Sequence, residues 1–466
     1  MPLYGDLNEI HSAKREEDFM NSKTLYLPVE IKQREYDAQI VLAAEAAVKG
    51  YRVFLGSHAA IFALLQTSKI PTGIFLDKGI PSRERLLWLR QKCLEIWVMD
   101  AEISPIHTAE VLISELPSRI YAEGIDGIDK YLVVGEMAYI AASEYFGLQK
   151  YKVLKSGWPR MEIAGSLGAK IYNNEIIAIK RKYPNFYLFA SSFAGNKDPI
   201  QVAGQRKATL HEPTPFWNEL ALQDRYEKFL YTIECLKEWD ADPRVPTIIV
   251  RPHVAESKEI WREKLGKLKK TFLEEDGNAT SWIYASSGII HQGSTLSIQS
   301  HIAGKENFFL KEASIEGYSV ISEKVSSVIV SKTRPPVSES LRNHSYPNPN
   351  FFPQIVESMV YSPRMGTIST ILQEMDRVPT SPDSAVTTLN LMISQISWRS
   401  MRRAIGLLRD EAYWKLGRIN LHPQSRSIPG GLGRKEISRI FKTMNYADSV
   451  VTSKKTLNLW EFKAKK

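Results

Sequence analysis

Cysteine is almost missing from this 466-residue chain: Cys93 and Cys235 are its only two, far apart and without metal-ligand spacing. A disulfide scaffold is excluded, and a reducing compartment fits. No apolar run reaches membrane-spanning length. The stretch before Thr24 is interrupted by Glu9, Lys14, Arg15, Glu16, Glu17 and Asp18, so no secretory leader is expected. There is no HExxH, no CxxC, no nucleotide P-loop and no repeat of fixed period. One acidic pair, Asp240-Ala241-Asp242, has a spacing that suits a divalent ion, but it follows a helix and precedes a strand, on the wrong edge for a site. The expectation is a cytoplasmic protein with no metal and no cofactor.

Apolar residues make up 43% and charged residues 24%, enough for two or three cored domains at this length. The net charge of +9 is unevenly spread. Residues 399–466 hold 16 Lys/Arg against 5 Asp/Glu, so the rest of the chain is close to neutral. The segment Trp398–Lys415 interleaves Arg399, Arg402, Arg403 and Arg409 with aromatic and aliphatic residues. That pattern suits an anionic membrane surface, with packing across the domains as the competing reading. No nucleic-acid module accompanies it.

Apolar strand-like runs alternate with amphipathic helical stretches, the mark of parallel sheets covered by helices. Residues 1–22 read as a flexible arm. TLYLPVE, YRVFLG, GIFLD, EIWVMD and YLVVGE mark a first Rossmann-like domain over 23–175. NFYLFASS, VPTIIVRPH, GIIH and ENFFL mark a second over 176–335, with SWIYASS read as a strand before a tight turn. Residues 336–466 read as a loop-rich and helical basic extension. Two such domains imply a cleft, and open α/β sheets bind ligands at the carboxyl ends of their strands.

Chemistry-bearing residues gather at those ends. His291, Gly293, Ser294 and Thr295 form a polar turn between a strand and a helix, where backbone N–H groups suit a phosphate. Arg251 and His253 close another strand and can add charge-assisted contacts. Ser191, Ser192 and Asn196 form a loop after a third, and Lys305 lies beyond the helix. The first half offers acids instead: Glu30, Glu35, Asp37, Asp100, Glu102 and Glu136 sit at or near successive strand ends. Such a carboxylate can serve as general base or nucleophile, or only as a cap or ion-pair member. Gly157, Trp158 and Arg160 mark the junction between the halves, as cleft lining or as a structural corner.

At these residues, over roughly 23–312, the chain resembles a bacterial family of surface carbohydrate biosynthesis proteins. That family is similar to two-domain GT-B glycosyltransferases and to the glycerophosphotransferases of wall teichoic acid. Leu27–Ala38, Asp100–Glu102, Gly157–Arg160, Arg251–Glu256 and His291–Thr295 carry the resemblance, with departures at Ala101, Trp158 and Val254. It implies a nucleotide-activated sugar as co-substrate, bound by Arg251, His253, His291, Gly293, Ser294, Thr295, Lys305 and the ribose-side Gln299. It also implies a saccharide or lipid-linked acceptor served by one acid of the first domain. The expected activity is glycosyl transfer in building a surface polysaccharide or glycolipid, with a CMP-linked 3-deoxy-ulosonic acid among the candidate donors. The alternatives are a CDP-glycerol-type polyol-phosphate transferase and a catalytically inactive nucleotide-sugar-binding assembly protein.

Overall fold

A computed structural model describes residues 23–66, 70–100, 108–120, 122–193, 219–253, 256–311, 320–337, 347–362, 364–379, 428, 431–456 and 458–465. The arm 1–22, Glu102, Asn196 and the helix expected at Trp398–Lys415 lie outside the described residues, and the membrane role proposed for that helix lies there with it. Among the described residues no helix is long and apolar enough to cross a membrane.

Two sheets organise the chain. The first contains β1 (Thr24–Val29), β2 (Arg52–Ser57), β3 (Ile74–Asp77), β4 (Glu95–Met99), β5 (Lys130–Val133) and β6 (Val153–Lys155), all parallel. The second contains β7 (Phe186–Ala190), β8 (Thr247–Arg251), β9 (Thr271–Leu273), β10 (Gly288–His291), β11 (Glu306–Leu310) and β12 (Val328–Val330), also parallel. Its order, β12-β11-β10-β7-β8-β9, is that of a dinucleotide-binding Rossmann sheet. The expected pair of Rossmann-like parallel sheets is present. SWIYASS departs from expectation: Ala279–Ala285 is a helix, and the strand begins only at Gly288. Short apolar runs of this kind fit a buried helix as well as a strand.

Period-two alternation divides the second sheet between two cores. Phe186, Leu188, Ile249 and Ile289 join the large core of the first domain. Tyr187, Phe189, Ile248, Val250 and Ile290 point to the opposite face, into a smaller core around Phe229, Trp239 and Trp261.

The extension drawn at 336–466 does not stand apart from the first domain. The helices Ile355–Met359 and Thr367–Met375 pack on the first domain's helices, and the helix Arg434–Met444 packs on Asp37–Val48. The chain then forms an antiparallel hairpin, β13 (Val450–Thr456) and β14 (Leu459–Ala464), whose second strand pairs with β2. The first sheet thereby has eight strands, in the order β13-β14-β2-β1-β3-β4-β5-β6. Gly56 permits this closure: a Cβ there would lie 2.6 Å from the Asn458 carbonyl oxygen. Buried Glu461 fixes the seam, accepting from Arg52 Nε at 2.6 Å and pairing with Lys455 and Lys463 at 2.7 and 3.1 Å.

Those cations hold the Glu461 carboxyl down at about 2, against the resistance of burial. A lowered carboxylate pKa stabilises the fold above the unfolded value of about 4.3, and the contribution fades as pH falls toward the folded value. Glu461→Gln is expected to cost about 3 kcal/mol near neutrality, because it removes the buried acid that balances the Arg52 charge. Denaturant melts at pH 7 and at pH 3 should show the gap between variant and parent narrowing in acid.

Candidate functional site

Each sheet has one point where the strand order reverses, and ligands of open α/β sheets bind outside the carboxyl ends there. In the first sheet that point lies between β1 and β3, and in the second between β7 and β10. The residues at these two points are Glu30, Glu35, Asp77 and Lys78 in one domain, and Ser191 and His291 in the other.

After β1 the chain makes a π-helical turn, Lys32–Tyr36, before the helix Asp37–Val48. Such turns hold one residue more than an α turn and often mark functional positions. Glu35 is buried on this turn. One carboxylate oxygen accepts the Glu30 N–H at 3.0 Å. The other has no hydrogen-bond partner and lies 3.8 Å from Lys78 Nζ, which is also paired with Glu30. Burial pushes the Glu35 carboxyl above the ordinary glutamate range, while the Glu30 N–H, Lys78 and Arg34 work against that shift.

The other first-domain candidate acids among the described residues are engaged. Asp37 accepts from Tyr172 at 2.5 Å and from Arg439 at 2.6 Å, and Arg439 also pairs with Glu175. It joins the first and last segments of the domain. Asp100 is buried, accepts from Arg119 at 2.6 Å and takes a hydrogen bond from Tyr131. Glu136 pairs with Lys155 on the exposed rim after β5. At the junction, Trp158 is buried under the Arg160 guanidinium, 4.5 Å from its ring. Gly157 has φ +79° and leaves room for the Tyr361 carbonyl, 2.5 Å from where a Cβ would stand. This corner is a packed joint.

In the second domain His291 is fully buried. Its Nδ1 accepts the Gly293 N–H at 3.2 Å, so Nε2 carries the proton toward Ser326 Oγ at 2.8 Å. Burial depresses its pKa to about 3, which makes it a neutral brace for the turn and not a cation for a phosphate. Ser294 Oγ accepts the Leu296 N–H at 3.3 Å and caps the short helix Leu296–Ile302, on which Gln299 is buried. Thr295 makes no side-chain cap. The Ser294 and Thr295 N–H groups have no acceptor among the described residues, so they are the donors this turn can offer.

Arg251 differs from expectation. Its guanidinium donates to the carbonyls of Asp276 at 2.6 Å and Gly277 at 3.0 Å, and lies 5.3 Å from the Trp282 ring. From the same loop, Asn278 Nδ2 reaches the Gln33 carbonyl at 3.3 Å. Arg251 therefore shapes the loop that meets the Glu35 turn across the cleft. His253 is exposed, two residues past β8. Ser191 and the Phe193 N–H bind buried Glu256, which anchors the start of the loop after β7; Ser192 stands between them. Lys305 precedes β11 and donates to the Ser286 carbonyl at 2.9 Å, at the amino edge opposite the site. Asp240 and Asp242 also lie at an amino edge, accepting the Lys269 and Lys270 N–H groups and the Arg244 side chain.

No family model and no curated protein matches the chain. Solved structures do. The UDP-GlcNAc 2-epimerase of Methanocaldococcus jannaschii aligns at TM-score 0.42 and 11% identity, over 76% of this chain and 100% of that one. S. aureus MnaA, solved with UDP, aligns at 0.41 and 11%, over 72% and 94%. The wall teichoic acid polymerase TagF, in a variant soaked with CDPG, aligns at 0.27 and 11%, over 51% and 53%. Likenesses this distant leave the functional reading to the site's own geometry.

Three polar residues at the carboxyl edge escaped the sequence pattern: His58, Arg85 and Arg119. His58 sits behind the Ser57 cap in an apolar helix, its Nε2 3.3 Å from Asp77. Strand-end position was its available signal. For His291, long-range ¹H–¹⁵N NMR is expected to show one neutral, Nε2-protonated tautomer from pH 5 to 8. A ring that titrates in that range would contradict a buried brace.

Proposed function

We propose that the chain is a glycosyltransferase that takes a sugar from a nucleotide-activated donor and passes it to a hydroxyl of a saccharide or lipid-linked acceptor. The observation that carries this reading is Glu35: a buried carboxyl of raised pKa, with one oxygen free of hydrogen bonds, at the first sheet's switch point and on the turn that meets the second domain. A carboxylate in that setting is a suitable general base. The donor's phosphates would lie at the second switch point, over the Ser294 and Thr295 N–H groups.

In the reaction, the acceptor hydroxyl gives its proton to Glu35 as its oxygen bonds to the anomeric carbon. The bond from that carbon to the donor's phosphate oxygen breaks, and the electron pair leaves with the nucleotide. Fixed N–H donors at the phosphate would stabilise the departing charge without having to reorganise. Burial raises the proton affinity of Glu35, Lys78 moderates that rise, and Glu30 holds Lys78. A polyol-phosphate donor fits the same turn, with phosphorus in place of the anomeric carbon.

Glu35→Gln keeps the acceptor for the Glu30 N–H and removes the base. Transfer should fall by roughly 100-fold or more, with donor affinity by calorimetry unchanged. Full turnover in this variant would remove Glu35 from the chemistry. The parent's kcat/KM should rise with pH through a value above the ordinary glutamate range of about 4.3. Lys78→Met, which removes a charge favouring the carboxylate, should move that limb to higher pH.

A further inference from the structure

Two buried aspartates on neighbouring strands hold arginines in matching ways. Asp77 ends β3 and pairs in register with Val98 of β4, and Asp100 stands two residues beyond Val98, on the same face. Each takes an arginine from the helix that follows its strand. Arg85, in Arg83–Arg90, lies 3.4 Å from Asp77, and Arg119, which ends Ala109–Arg119, lies 2.6 Å from Asp100. His58 completes the group across β1, accepting from Arg85 at its Nδ1 at 2.9 Å.

Both arginines make these contacts through Nη2. Nε of each is buried with no hydrogen-bond partner. Nη1 of each likewise has no acceptor among the described residues. The side chains remain 35% and 24% exposed, so neither arginine is sealed from solvent. A guanidinium carries five N–H donors, and desolvated donors without acceptors are costly unless a ligand supplies them.

We propose that Arg85 and Arg119 form a receiving site for an anionic group, a phosphate or a carboxylate. Asp77 and Asp100 aim the arginines and take no part in proton transfer. The fork of each guanidinium matches the paired oxygens of either anion. Because the site lies on the acceptor side of the cleft, it makes the acceptor an acidic saccharide or a phosphate-bearing lipid-linked one. That last step rests on the transferase reading, whereas the anion site itself does not.

Trp88 offers a local reporter: it stacks on Phe62 at 5.4 Å, and the Arg85 guanidinium lies 4.1 Å from the same Phe62 ring. The full chain is labelled with 5-fluorotryptophan, and the Trp88 ¹⁹F resonance is assigned with Trp88→Phe. Inorganic phosphate or glucuronate is then titrated against sodium chloride of equal ionic strength. A saturable shift beyond the chloride control is expected with at least one of them, and which one responds separates a phosphate from a carboxylate. Apparent affinity should weaken by about tenfold or more in Arg85→Gln/Arg119→Gln, and less in Arg119→Gln alone, which guards against loss of fold in the double variant. No saturable shift with either anion overturns the site, as does an undiminished shift in a folded double variant. Glu35→Gln should still show the shift, so failure of the transferase reading and failure of the anion site give different results.

Discussion

The π-helical turn that carries Glu35 is held from outside by the far end of the chain. Lys32 pairs with Glu436 at 2.6 Å, Tyr36 donates to the Gly433 carbonyl at 3.2 Å, and Asp37 accepts from Arg439 at 2.6 Å. All three contacts come from the helix Arg434–Met444 and the Gly433 that precedes it. A π turn is less favourable than the α turn it replaces, so it needs neighbours to define it. Burial alone disfavours the charged form of Asp37, and the Arg439 guanidinium and Tyr172 hydroxyl counter it. Arg439 in turn is held in its charged form by Asp37 and Glu175. The position of Glu35 thus depends on a segment some 400 residues away, which the β13–β14 hairpin secures to β2.

The two strand-end edges differ in charge. The first domain's edge mixes acids with cations, and most of the acids are already committed to arginines, lysines or tyrosines. Glu35 differs because its partners satisfy one oxygen and leave the other. The second domain offers backbone N–H groups instead, stiffened by a neutral histidine. The loop shaped by Arg251 touches the Glu35 turn through Asn278, so a change at the end of β8 can reach the first domain.

The parallel strands were legible because strands covered on both faces become unbroken apolar runs, as in TLYLPV and FYLFA. Candidate strand ends follow from the same runs, and Glu35 and the 291–295 turn are candidates of that kind. The role of each side chain was not legible. His291 looks like a phosphate ligand until its two ring nitrogens are seen bound to Gly293 and Ser326, and Arg251 looks the same until its guanidinium is found on two carbonyls. Lys305 could have been set aside from sequence, since it precedes β11 and so belongs to the amino edge. The terminal hairpin escaped notice because the edge strand VVTSKKT is half polar and has no apolar run.

The basic composition of the last segment also changes meaning once partners are visible. Arg439, Lys455 and Lys463 count toward the positive excess of 399–466, yet each is paired with a buried or half-buried acid. Asp37 and Glu175 belong to the near-neutral body, so charge summed along the sequence separates partners that the fold brings together. A cation satisfied in this way contributes little to a surface field. These three cations close the first domain, and Arg439 helps fix the turn beneath the proposed base, a structural use that composition alone cannot distinguish from attraction to an anionic surface.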